Sequence, residues 1–184
     1  MKKNRRFIYV IVGSFMIFIV GLFIAKYVMV NQKYPEAIFE RYNIGEVLEY
    51  DGCDVSVKDF VILDKEKAKD LGYYLDDDLD YKILKCTMEV TNNSDIEKSP
   101  ELYYVEAESS VWHNGVDLEV LHNANEATES LRPTLHSGET TAVTVVFVMY
   151  KFQFSNARWK QIDSDNLQLV FSLYPVKKYV VLQE

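Results

Sequence analysis

Residues Tyr81–Thr91 read YKILKCTMEVT. Leu84, Cys86, Met88 and Val90 fall on one side of a two-residue period; Lys85, Thr87 and Glu89 fall on the other. A helix gathers its apolar residues every three or four positions, so strict alternation marks a strand with one face in a core and one in water. Such a half-wet strand belongs to an antiparallel sheet.

The same period extends outward in both directions. Upstream, EVLEYDGCDVSV (residues 46–57) reads as two short strands about Asp51-Gly52, a two-residue turn signal. Between them and the opening stretch lies DKEKAKDLGYY (64–74), the one helical candidate. Downstream, NNSD supplies turn residues, and Tyr103, Val105, Ala107, Ser109 and Val111 resume the alternation. Asn114-Gly115 is a second hairpin signal. Val143, Val145 and Phe147 alternate with Ala142, Thr144, Val146 and Val148, so both faces are apolar and a central strand is expected. Leu167, Leu169, Phe171 and Leu173 form another inward set. Tyr174-Pro175 breaks it, and residues 176–182 can close the sheet at an edge, where proline is tolerated. Seven or eight strands with turns between them predict an all-β domain, an immunoglobulin-like antiparallel β-sandwich. A small barrel is the second solution.

The N-terminus obeys a different rule. Residues 7–25, FIYVIVGSFMIFIVGLFIA, carry no charge and as a helix span about 28 Å, close to the hydrocarbon thickness of a bilayer. Four basic residues precede them, and Lys26 follows. A cleaved signal would have a shorter apolar core and a small-x-small site after it, whereas KYVMVNQKYPE follows here. The expected organisation is a cytoplasmic basic tail (1–6), a single N-terminal transmembrane helix (7–30), a juxtamembrane stalk (31–43) with a short helix over residues 36–42, and an extracytoplasmic sandwich (44–184). The expected location is the cell membrane, single-pass, with the C-terminal domain outside.

Lys2, Lys3, Arg5, Arg6, Lys26 and Lys33 account for six of the 20 basic residues, and none of the 28 acids precedes Glu36. The remaining residues therefore carry a formal charge of −14. That field repels a phosphate backbone, so no nucleic-acid partner is expected.

Candidate sites are few. In YYLDDDLDY (73–81), Asp76, Asp78 and Asp80 match the first three ligand positions of an EF-hand calcium loop. Tyr81 stands where that loop needs glycine, and Thr87 where it needs glutamate. Calcium held by another geometry, or a solvated acidic loop, remain as readings. Cys53 and Cys86 sit on inward strand faces in an oxidising compartment, so a disulfide is chemically available; two separate core thiols are the alternative. His113, His122 and His136 have no metal-binding spacing, and the stretch around the latter two, residues 122–140, reads as loop. Asn92-Asn93-Ser94 is a formal glycosylation sequon. Tyr104, Trp112, Phe154 and Trp159 are candidates for an interaction surface, against the alternative that they fill the ends of the core. No nucleophile elbow or phosphate loop is present, so no catalytic residue and no cofactor are assigned.

Several turns and strand ends carry a resemblance. They are Tyr42-Asn43-Ile44-Gly45-Glu46, Glu49-Tyr50-Asp51-Gly52, Val90-Thr91-Asn92-Asn93-Ser94-Asp95, Trp112-His113-Asn114-Gly115-Val116-Asp117 and Leu173-Tyr174-Pro175-Val176-Lys177. Over residues 34–184 the chain resembles an uncharacterised family of Gram-positive bacterial surface proteins with one N-terminal anchor and an immunoglobulin-like domain of unknown function. The resemblance implies a secreted-side sandwich and transfers no catalytic residue. The expected function is a non-enzymatic binding or accessory module at the cell surface, with an unknown protein or cell-envelope partner. A calcium-responsive domain using loop 76–80 is the alternative, and a metal-dependent hydrolase a further one.

Overall fold

The structure is a computed structural model that describes residues 2–124 and 131–183. It divides into two compact units, residues 1–38 and residues 39–184. The first unit is built on one helix, α1 (Lys2–Lys33). Within it, Ile11–Lys33 are long and apolar enough to cross a membrane.

The second unit holds nine strands among the described residues: β1 (Ile38–Asn43), β2 (Val47–Tyr50), β3 (Cys53–Asp64), β4 (Tyr81–Thr91), β5 (Glu106–Glu108), β6 (His113–Gly115), β7 (Thr140–Tyr150), β8 (Leu167–Ser172) and β9 (Val176–Leu182). One sheet has the order β2-β3-β4-β7 and the other β1-β9-β8-β5-β6. The core β3-β4-β7 against β6-β5-β8-β9 is the A-B-E and C′-C-F-G arrangement of an immunoglobulin fold, with β2 added beside β3. The expected all-β antiparallel sandwich is therefore the fold, and the barrel is not.

Alternation places the core as the opening stretch requires. Leu84, Cys86, Met88 and Val90 are all fully buried. They lie in register with Phe147, Val145, Val143 and Thr141 of β7. The Asp51-Gly52 turn is also as read: Asp51 has φ 51° and Gly52 φ 77°, the left-handed pair that a two-residue hairpin demands.

Several expectations need correction. Asn114-Gly115 is not a turn but lies in β6, paired to Ala107 and Glu106. The chain reverses at Ser109–Trp112 instead, where the Ser109 N–H donates to the Trp112 carbonyl at 2.7 Å. Residues 38–43 form β1, not a stalk helix: Glu40 and Tyr42 are half-buried while Phe39 and Arg41 are exposed, the two-residue period of a strand. The strand expected over residues 103–111 shortens to β5, preceded by a 3-10 turn at Leu102–Tyr104. Part of the stretch read as loop is helical: α3 (Leu118–Asn123) starts where the Asp117 carboxylate accepts from the Val120 N–H at 3.0 Å. Residues 125–130 of that stretch lie outside the described residues. Finally, β7 is not central in its sheet but its last strand, and β9 is not an edge strand but lies between β1 and β8.

Both faces of β7 are nonetheless buried, and the reason is a third layer. Leu63, Ile83 and Val148 share the outward face by register, as do Val61, Lys85 and Val146. Helix α2 (Lys65–Asp70), capped by Asp64, packs on β3 and β4, and α3 packs on β7. Gly72, at φ 83°, lets the two caps meet: a Cβ there would come within 3.3 Å of the Ala124 backbone. Ala68, Tyr73, Val120 and Leu121 are the buried side chains of this outer layer.

Candidate interaction surface

The structure separates the candidate residues. Cys53 and Cys86 are free thiols. Cys53 pairs with Tyr50 at the hairpin, while Cys86 lies opposite Phe60, five residues beyond Thr91, which faces Asp54. Cys53 is one residue further on than Asp54, so at about 3.3 Å per residue the two cysteines are about 20 Å apart, far beyond the roughly 7 Å that a disulfide spans. Burial pushes the Cys86 thiol well above its ordinary range, so it is a core residue. Asn92 of the sequon is fully buried and out of reach of a glycosyl carrier.

The acidic loop is held by lysines. Lys69 pairs with Asp77, and Lys151 with Asp80 at 2.6 Å. Lys65 donates to the Asp77 and Leu79 carbonyls, the latter at 2.8 Å. Asp76 accepts from the Asp78 backbone N–H at 3.0 Å, a turn contact. Among the described residues no group of three or more His, Cys, Asp or Glu side chains is arranged to hold a metal ion. His113 and His122 are exposed, and His136, also exposed, lies 3.4 Å from Glu97.

These ion pairs have a pH signature. The hydrogen bond from Lys69 holds Asp77 below the usual carboxylate range, and that from Lys151 does the same to Asp80. The Lys67 N–H lowers Asp64, and Lys178, then the Gly52 N–H, lower Glu49. A carboxylate with a depressed folded pKa adds stability above its unfolded value, lost as pH falls through the folded one. Thermal unfolding between pH 7 and pH 2 is therefore expected to show its main loss below about pH 4. Millimolar calcium at pH 7 is expected to leave the midpoint unchanged, because lysines already occupy Asp77 and Asp80.

The four aromatic candidates part company as well. Trp112 is 7 % exposed, and its indole N–H donates to the Gln153 side-chain oxygen at 3.1 Å. Its ring lies 6.2 Å from Phe154, which lies 5.7 Å from Trp159. Trp159 also takes the Lys82 ammonium 5.6 Å from its ring centre. Three of the four thus form a packed chain of rings against the core. Tyr104 alone is exposed, at 65 %.

Around Tyr104 a surface assembles whose other members the sequence did not mark. Leu173, expected on the inward face, instead falls just past the end of β8, and it and Tyr174 are more than half exposed beside Tyr104. A cavity of about 320 Å³ is lined by Tyr104, Glu106, Val170, Phe171, Leu173 and Tyr174. A second, of about 340 Å³, shares Tyr104 and Ser172 and is bordered by Glu49, Tyr50, Asp51, Glu101 and Lys178. Tyr50 anchors the floor: its hydroxyl donates to the Glu101 carbonyl at 2.9 Å and its ring meets Phe171 edge-on at 5.5 Å. Burial pushes its pKa up to about 12, so it stays neutral there. The result is an aromatic patch with a carboxylate rim. Sequence reading missed Tyr174 because its proline neighbour marked it as a strand breaker.

Fold and surface together define a β-sandwich domain of unknown function following an apolar N-terminal helix. The chain belongs to the family described as domain of unknown function DUF5028, which it matches over residues 39–178. No functionally curated protein matches it. Among solved structures it is similar to an uncharacterized β-sandwich protein from Clostridium difficile 630, at 14 % identity over 80 % of this chain and 97 % of that one, with a TM-score of 0.48. It is also similar to the yjhA protein of Bacillus subtilis, at 16 % identity over 77 % and 99 %, TM-score 0.48. A conserved hypothetical protein from Bacillus anthracis matches at 17 % identity over 70 % and 88 %, TM-score 0.48.

Proposed function

We propose that the protein is a non-enzymatic binding module tethered by α1 to the outer face of a bacterial cell membrane, where its sandwich meets a protein or cell-envelope partner. The observation that carries this reading is the apolar span Ile11–Lys33, preceded by Lys2, Lys3, Arg5 and Arg6 and followed by a strongly acidic domain. Basic residues stay on the cytoplasmic side of a span, which sends the rest of the chain outside. The exposed Tyr104, Leu173 and Tyr174 supply a contact surface, since aromatics concentrate where proteins meet.

Protease added to intact cells is expected to remove the domain while a fragment of the span stays with the membrane. Release of the chain into the medium, shortened near residue 30, overturns the tether. A photoreactive phenylalanine at position 104 is expected to give a discrete adduct in the intact envelope, and one at exposed position 67 none. Identical results at the two positions overturn the surface.

A further inference from the structure

A different edge of the domain is unfinished. Strand β2 pairs β3 only over Cys53 to Ser56, and the Gly45 N–H takes the Val57 carbonyl at 2.8 Å. A register shift follows between Val57 and Asp59. From Asp59 to Leu63, β3 pairs β4 on one side, and among the described residues no strand pairs it on the other. In an antiparallel strand every second residue there aims its N–H and C=O away from β4.

The core is open at the same place. Phe60 and Ile62 share a face with Cys86 and Leu84, which are fully buried, yet both are only half-buried. A groove of about 600 Å³ runs between this edge and Leu167 and Leu182 of the other sheet, with Asp163 and Asp165 on its rim. Five residues of open edge span about 17 Å, the length of an ordinary strand.

We propose that this edge accepts a β-strand from a partner protein, alternately apolar and basic. Backbone pairing with residues 59–63 supplies affinity, and alternate side chains enter the groove over Phe60 and Ile62. Charge chooses the partner. Asp163 is paired with Lys82, but Asp165 stands beside it, on a domain whose formal charge is −14. A second copy of this chain would bring another domain of formal charge −14 against the first, so the fitting occupant is a basic strand of another protein. This surface is separate from the Tyr104 patch, and the two readings stand or fall independently.

The test is hydrogen exchange on the full-length chain in phosphatidylcholine nanodiscs, whose lipid carries no net charge. The probe is the peptide KVKVKVK, with EVEVEVE as its acidic counterpart. Alternate amides within residues 59–63 are expected to exchange faster than those of β4 in the free chain and to gain protection with KVKVKVK alone. Asp165→Lys is expected to weaken that binding about tenfold. The proposal is overturned by no protection at millimolar KVKVKVK, by equal protection from EVEVEVE, or by edge amides already protected through self-association. Because the readout is local to β3, none of these outcomes bears on crosslinking at position 104.

Discussion

Asn92→Asp is expected to destabilise the domain by about 3–4 kcal/mol, while Asn93→Asp next to it costs less than about 1 kcal/mol. Asn92 is fully buried at the end of β4, and its carboxamide is completely satisfied. Its NH₂ group donates to the Ile96 carbonyl at 2.7 Å and to the Leu135 carbonyl at 2.9 Å. Its oxygen accepts from the Ser94 N–H at 3.0 Å and the Ser94 hydroxyl at 2.7 Å. Its backbone takes part too, donating to the Glu139 carbonyl at 2.9 Å and accepting from the Gly138 N–H at 2.7 Å. One side chain therefore ties the exit of β4 to the segment that leads into β7. An ionised aspartate has the same shape but no donor, so the Ile96 and Leu135 carbonyls, left with the Ser94 hydroxyl and the Lys98 N–H, each lose one donor and face a buried charged acceptor instead. Asn93 is exposed, and its side chain reaches Asp54 at the surface. Trp112 and Trp159, the only two tryptophans, report unfolding by fluorescence in urea. Equal midpoints for the two variants would remove Asn92 from this role.

The contrast between Asn92 and Cys86 shows what a sequence makes visible. Alternation displays which residues point inward, because burial of apolar area is what selects them; Leu84, Cys86, Met88 and Val90 are all where the period puts them. It also displays a turn when the turn demands a left-handed backbone, as at Asp51-Gly52. It does not display which strands become neighbours. Asn92 looked like a surface sequon because the partner that ties it to the rest of the domain, Leu135, lies more than forty residues away. Asn114-Gly115 looked like a turn because that pair suits one; here the Asn114 side chain instead donates to the Val148 carbonyl at 3.0 Å, covering the outer edge of β7. The Tyr104 surface was half legible: exposure could be suspected for any tyrosine, but the meeting of Tyr104 with Tyr174 depends on how β5 and β8 pair. The open edge of β3 was not legible at all, since an unpaired edge is a property of what fails to cover it.

The doubly apolar pattern of β7 is the most informative misreading, because two structures explain it and they respond differently to one charge. A central strand is flanked on both sides by other strands, but burying both its faces takes a layer on each side of its sheet. Strand β7 instead ends its sheet, and its outward face is covered by α3, next to α2 on β3 and β4. If that cap is packed as tightly as the core, Val148→Asp on the outward face costs as much as Val145→Asp on the inward one, about 4 kcal/mol each, since either buries an unpaired carboxylate. Val145, Val146 and Val148 are all fully buried. Val61 provides the internal control: it shares the outward face and the Lys85 row with Val146, yet it lies past the cap and is 41 % exposed. Val61→Asp is expected to cost less than about 1 kcal/mol. The three variants are compared by urea unfolding of the full chain. A Val148→Asp cost as small as that of Val61→Asp would mean that the helical cap lies loosely on the sheet, and the third layer would no longer account for the second apolar face of β7.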